Sequence, residues 1–278
     1  MTYKKILLAI NVYEKAELVI NSAISFAKEN NISSLEIVTV VDSVSTFAPA
    51  VVDFQYAVEK EAKAALEEIV SKITDIKVNH KMLVGNPAAE IAAYADQNEC
   101  DLIVIGSHAT HGLNLVLGSV ANAVLHKAKC DVLTIRLSSD NENNRLAHKY
   151  KSIIIPTDLE SDACLVADKA KAISKISNSN IDTIFVVPND SVSLMTYESA
   201  KIKIALDKFA KKNGFEGNNS VVIGGVAHSI INKADENKND LIIIGSHRRG
   251  AIGRFFLGST ANSTLHQAKV DVLVVKLK

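Results

Sequence analysis

Cysteine, surplus charge and long apolar runs are what this sequence has little of. Its three cysteines, Cys100, Cys130 and Cys164, are too few and too scattered for a disulfide framework or a zinc cluster, and read as reduced thiols of a cytoplasmic protein. The 31 basic residues are matched by 31 acidic ones, a formal net charge of +0. That balance gives no basic face, so neither nucleic acid nor a membrane surface is an expected partner. The apolar runs of about 5–8 residues fall far short of a membrane span. A strand signal, KKILLAI, begins almost at the first residue and leaves no room for a signal peptide.

What is present is a globular composition, 47% hydrophobic and 22% charged, written twice. DLIVIGSHATHGLNLVLGS at 101–119 returns as DLIIIGSHRRGAIGRFFLGS at 240–259. Asp101 and Asp240 lie 139 positions apart, whereas Ser119 and Ser259 lie 140 apart, so one residue separates the two loops in length. The closing segments VANAVLHKAKCDVLTIRL and TANSTLHQAKVDVLVVKL agree, and the openings pair Asn11 with Asp158. Between the copies runs SSDNENNRLAHK, polar and rich in turn formers. The organisation expected is a first domain over 1–138, a linker over 139–150 and a second domain over 151–278.

Each copy alternates short β-branched runs with helical stripes. In the first, strands are expected at 6–10, 35–41, 81–84, 102–105 and 132–137, with helices at 16–28, 56–72, 88–97 and 120–127. In the second, strands are expected at 152–155, 183–187, 221–223, 241–244 and 272–276. Nearly pure apolar strands between helices predict an α/β fold of two tandem doubly wound domains, each a five-stranded parallel sheet with helices on both faces. Ligands of such sheets lie beyond the carboxyl ends of the strands.

The repeated loops fall at that end. Gly106 and Gly245 close buried strands and leave room for a ligand to approach the backbone. Gly118-Ser119 and Gly258-Ser259 open helices, whose free N–H groups and dipole form an anion site. Strand, glycine, loop, Gly-Ser and helix together suit a phosphate cradle. The plainer reading also stands: the serines as N-caps, the glycines as turn residues.

IIIPTD (153–158), VGNPAAEI (84–91), the two DLI(V/I)IGSH strands, LGS and the closing CDVLTIRL and VDVLVVKL together resemble the universal stress protein family, in tandem and over nearly the whole chain. Nucleotide-binding members carry G-x2-G-x9-G-[ST], whose glycines and hydroxyl hold ATP phosphates and ribose. An acid after the first strand contacts the nucleoside, and a valine ending the second touches adenine. The resemblance implies ATP, with Mg2+, as the ligand, mainly in domain 2. There Asp158 is the acid and Val186 the valine. Gly245, Gly258 and Ser259 keep the spacing, Thr260 follows, and the loop supplies His247, Arg248, Arg249 and Gly250. Arg248 occupies the second glycine position, where it would either obstruct a phosphate or bind it. The equivalent set in domain 1 is weaker: Asn11 for the acid, Val40, Gly106, His108, Gly112, Gly118 and Ser119, with Ala109 at the second glycine. The resemblance also implies that the final strands pair within the chain as a pseudo-dimer, 132–135 beside 272–275, and it allows a homodimer.

Other residues carry less. His108 and His111 form H-x-x-H without a neighbouring carboxylate or cysteine, so hydrogen bonding is preferred to metal binding. His126 and His266 sit near helix C-termini, where the dipole favours them. Arg254, Phe255 and Phe256 could meet a partner or pack in the core. No residue set stands out as catalytic; weak ATP hydrolysis at most is expected. Three functions stay open: a nucleotide-binding stress-response protein, a stress-response interaction module without nucleotide, and an enzyme of the wider adenine-nucleotide α/β group.

Overall fold

The computed structural model describes residues 3–14, 16–43, 49–107, 117–137, 150–160, 162–189, 195–246 and 257–277. Among these the chain forms two compact units, one of 3–107 with 118–137 and one of 150–277, to which Leu117 is also assigned. The first runs β1 (Ile6–Ala9), α1 (Glu17–Glu29), β2 (Ser34–Val41), α2 (Pro49–Ser71), β3 (Lys77–Val84), α3 (Pro87–Gln97), β4 (Leu102–Ser107), α4 (Ser119–Lys127) and β5 (Asp131–Arg136). Its strands lie parallel in the order β3-β2-β1-β4-β5. The second runs β6 (Ser152–Pro156), α5 (Ala163–Ser177), β7 (Asn180–Val187), α6 (Met195–Asn213), β8 (Asn219–Ile223), α7 (Val226–Glu236), β9 (Leu241–Gly245), α8 (Ser259–Gln267) and β10 (Asp271–Val275). Its strands repeat the order as β8-β7-β6-β9-β10, again parallel. Each unit is the doubly wound α/β sheet that the alternation predicts.

The helices form because their apolar residues fall on one face. Val19, Ile20, Ala23, Phe26 and Ala27 of α1 are buried, a stripe at helical spacing. In α5 the stripe is Ala163, Val166, Ala167, Ala170 and Ile173, and the helix stops at Asn178 in the left-handed region. The central strands β1, β4, β6 and β9 are buried almost throughout, since helices cover both their faces.

Two elements depart furthest from expectation. The third strand begins at Lys77 rather than 81, because β3 is an edge strand. Its sequence KVNHKMLV is mostly exposed, so no apolar run announces it. Helix α2 begins at Pro49 rather than 56, and its first turns, PAVVDFQ, carry no helical stripe. Proline suits a first helical position, where its missing N–H has no intrahelical role.

Polar groups fasten the amino ends of the sheets. The Asp101 carboxylate accepts hydrogen bonds from the backbone N–H of Lys4 (2.7 Å) and Lys5 (3.0 Å), just ahead of β1. Asp240 accepts from Lys151 (2.7 Å) and Ser152 (3.1 Å) in the same way. The first residue of each repeated DLI strand is therefore a structural clasp. A second clasp is buried: the Tyr3 hydroxyl donates to Asp131 Oδ2 and that of Tyr150 to Asp271 Oδ2, both at 2.9 Å.

Burial, and then the negative charge of Asp131, raise the Tyr3 hydroxyl well above its ordinary range. Folding thus favours neutral Tyr3. The stability it contributes is intact below about pH 10, where the unfolded tyrosine ionises, and is lost as pH rises beyond that. Tyr3→Phe is expected to lower stability by about 1–3 kcal/mol at pH 7 by leaving a buried carboxylate oxygen short of a donor. It should also flatten the loss of stability above pH 10. Urea unfolding of both proteins from pH 7 to 11 measures the two effects.

Candidate functional site

At the carboxyl ends of β1, β2 and β4 in the first unit lies a cavity of about 470 Å³. Asn11, Val40 and Gly106 line it, three residues that the sequence assigns to the weaker set. Val120 and Ala121, in the first turn of α4, close one side, and Tyr13, Phe54 and Val58 another. Asn11 follows β1 and turns the chain: its Oδ1 accepts from the Tyr13 N–H (3.1 Å) while its Nδ2 donates to Glu14 Oε1 (2.8 Å). The Tyr13 hydroxyl reaches the Val58 carbonyl at 3.3 Å and so joins this turn to α2.

The second unit builds the same frame. Asp158 follows β6, and its Oδ1 accepts from the Glu160 N–H at 3.0 Å, the turn that Asn11 makes in the first unit. Asparagine and aspartate serve this turn equally, since each offers a side-chain oxygen. They differ in the other atom, a donor nitrogen in Asn11 and an acceptor oxygen in Asp158. Val40 and Val186 are structurally equivalent, each two residues beyond the residue whose carbonyl accepts from the chain leaving the first strand. Gly245 ends β9, and the Gly258 N–H donates to the Ser246 carbonyl at 2.6 Å, so the start of α8 is held against the end of β9.

The helix starts correct one expectation. Ser119 and Ser259 are not N-caps. Gly118 and Gly258 hold the cap positions, extended in backbone and with no side chain to offer, and the serines are the first helical residues. Neither helix has a side-chain cap, so its first-turn N–H groups keep their donor capacity for another acceptor. Ser119 and Ser259 are exposed there, and Thr260 is half-buried in the next position.

His108, Ala109, Gly112, His247, Arg248, Arg249 and Gly250 lie outside the described residues, as do His111, Arg254, Phe255 and Phe256. Among the described residues no cluster of three or more His, Cys, Asp or Glu side chains could hold a metal. Sequence reasoning missed part of the contribution of α2: Phe54 and Gln55 line the cavity from the turns whose helical character the pattern hides, beside Val58 of the expected helix. It also missed Ser107 and Ser246, buried residues that tie β4 and β9 to the strands beside them. Ser107 Oγ donates to the Ile135 carbonyl at 3.1 Å, and Ser246 Oγ accepts from the Leu277 N–H at 3.1 Å.

Compared with known proteins, the chain matches the Universal stress protein family over residues 2–136 and again over 149–276. It is similar to Universal stress protein A homolog 1 of Coxiella burnetii, 36% identical over 142 residues, which are 49% of this chain and 97% of that protein. Universal stress protein A homolog 2 of the same organism is 34% identical over 141 residues, 49% of this chain and 96% of that one. A universal stress protein from Archaeoglobus fulgidus shares the fold over 99% of this chain and 97% of its own, with a TM-score of 0.75 at 20% identity.

The strand-ending glycines have a packing reason of their own. A Cβ on Gly106 would stand 3.0 Å from Val19 Cγ2 and 3.2 Å from Leu137 Cδ1. One on Gly245 would stand 2.8 Å from Leu277 Cδ1 and 3.5 Å from Val166 Cγ2. Each glycine admits a valine of the helix after its domain's first strand and a leucine beyond the last strand. Gly106→Ala is expected to destabilise by about 1–3 kcal/mol, because the β-branched Val19 cannot swing away. Gly245→Ala should lose less, since the far end of Leu277 is the atom that must yield, and Leu277→Ala should offset that loss. Chemical denaturation of the three variants checks the order; no rescue by Leu277→Ala would contradict the packing account.

Proposed function

The chain belongs to the universal stress protein family, and we propose that it is a cytoplasmic stress-response protein that binds an adenine nucleotide, ATP with Mg2+, mainly in its second domain. The observation that carries this is the Gly258–Ser246 hydrogen bond. It sets the uncapped start of α8 beside the end of β9, within one domain that also places Asp158 and Val186 at the same edge of the sheet. Donors for phosphate and an acceptor for sugar hydroxyls are what a nucleotide needs. In this proposal Asp158 and Val186 hold the nucleoside, and Gly258, Ser259 and Thr260 take phosphate together with His247, Arg248, Arg249 and Gly250. Domain 1 has the same frame with an amide at Asn11, and is assigned the weaker affinity for nucleotide. The interaction module without nucleotide is the competing reading, and mass spectrometry of gently purified protein for copurified nucleotide separates the two.

Asp158→Ala is expected to weaken Mg-ATP binding by tenfold or more, about 1.4 kcal/mol, while Asn11→Ala changes it by less than about threefold. Calorimetric titration of both variants decides; equal losses, or loss only in Asn11→Ala, overturn the ranking of the domains. Arg248→Gly probes the loop. Tighter binding identifies the arginine as an obstruction, which is the expected outcome, and binding weakened about tenfold identifies it as a phosphate ligand through a charge-assisted bond. Unchanged affinity would place the loop away from the phosphates.

A further inference from the structure

We propose that the cavity of domain 1, weak for nucleotide, takes by preference an uncharged, mainly apolar small molecule, a ligand class different from the nucleotide assigned to domain 2. Its volume of about 470 Å³ falls in the range of roughly 300–1,000 Å³ typical of small-molecule sites. Its walls are chiefly aliphatic, with Ile10, Val19, Val40, Ile105 and Leu137 among them, and the Phe54 ring stands at its side. Phe54 is 65% exposed, a large apolar surface that a ligand would cover.

Most of the polar lining is bonded from within the domain. Asn11 is bonded to the Tyr13 N–H and to Glu14. The Tyr13 hydroxyl donates to the Val58 carbonyl. Gln55 Nε2 donates to the Asp42 carbonyl at 3.3 Å and to Glu59 Oε1 at 2.9 Å. A ligand rich in hydrogen-bonding groups would have to break these bonds, whereas an apolar one leaves them in place.

Charge selects in the same direction. The ionisable carboxylates among the described lining residues are Glu14 and Asp42, both at exposed positions, and no lysine or arginine lines the cavity with them. Two carboxylates near the opening repel an anion. In domain 2 the corresponding loop carries Arg248 and Arg249. The two domains thus offer one frame with opposite charge preferences.

Two fluorescent probes with the same ring system test this on the full chain: uncharged N-phenyl-1-naphthylamine, and 8-anilinonaphthalene-1-sulfonate, which adds a sulfonate. The uncharged probe is expected to bind at least about tenfold more tightly. Val40→Trp, which fills the cavity, should weaken it by at least about tenfold. Glu14→Gln combined with Asp42→Asn, both at exposed positions, should bring the two affinities within about threefold. Binding of the sulfonate as tight as that of the uncharged probe overturns the proposal, as does a well-folded Val40→Trp variant that binds the uncharged probe unchanged. Should Val40→Trp fail to fold by circular dichroism, the carboxamide pair decides alone, and an unchanged affinity ratio overturns the proposal. Mg-ATP that displaces the uncharged probe from Asp158→Ala at the concentrations that fill domain 2 of the native chain would give this cavity to the nucleotide. That result would sink the present inference and leave nucleotide binding by the protein intact.

Discussion

Each domain depends on a parallel strand pair clasped at its amino end by one carboxylate: β1 on β4 through Asp101, and β6 on β9 through Asp240. These strands are covered on both faces, so their polar backbone groups can find partners only in the ladder or at the strand ends. At the amino end the N–H groups of Lys4 and Lys5 find Asp101, and those of Lys151 and Ser152 find Asp240. Once that end is closed, the carboxyl end is where backbone, glycines and helix starts stay available for a ligand. The buried Tyr3–Asp131 and Tyr150–Asp271 bonds strengthen the same division, because they tie the segment before the first strand to the last strand of its domain.

This division explains what the sequence made legible. The apolar runs of β1, β4, β6 and β9 are the direct signature of two-sided burial, so the existence of the strands and their parallel direction could be read from them. The edge strand β3 escaped in part, since exposure removes the apolar run that marks a strand. The first turns of α2 escaped because Pro49 and the apolar residues after it fit no helical stripe. That omission mattered for the site, because Phe54 and Gln55 close the cavity from those turns. The repeated motif was also legible in the wrong proportion. Its aspartate is a clasp at the far end of the strand, its glycine makes room for a valine and a leucine, and its serine at 107 or 246 ties two strands together. Much of a phrase that looks like a binding signature is demanded by packing, and packing keeps it in both copies whatever either copy binds.

Positions free of that demand are where the copies differ. Asn11 and Asp158 make the same turn, so the fold accepts either, and the change alters only the chemistry offered by one side-chain atom. The loops after Gly106 and Gly245 likewise differ by one residue and by three arginines, while the helix starts they lead to both have glycine at the cap position and no side-chain cap. A duplicated domain can therefore change its ligand without disturbing its core. The strands, clasps and glycines hold the frame, and a handful of residues at the carboxyl edge set charge and hydrogen bonding. In domain 1 the residues at that edge pair among themselves around an aliphatic cavity, Asn11 with Glu14 and Tyr13 with the Val58 carbonyl. The hydrogen bonds that a nucleotide site would direct at its ligand are spent there on closing the turn against α2, and a space bounded by satisfied polar groups and aliphatic walls is stabilised most by a ligand that brings apolar surface.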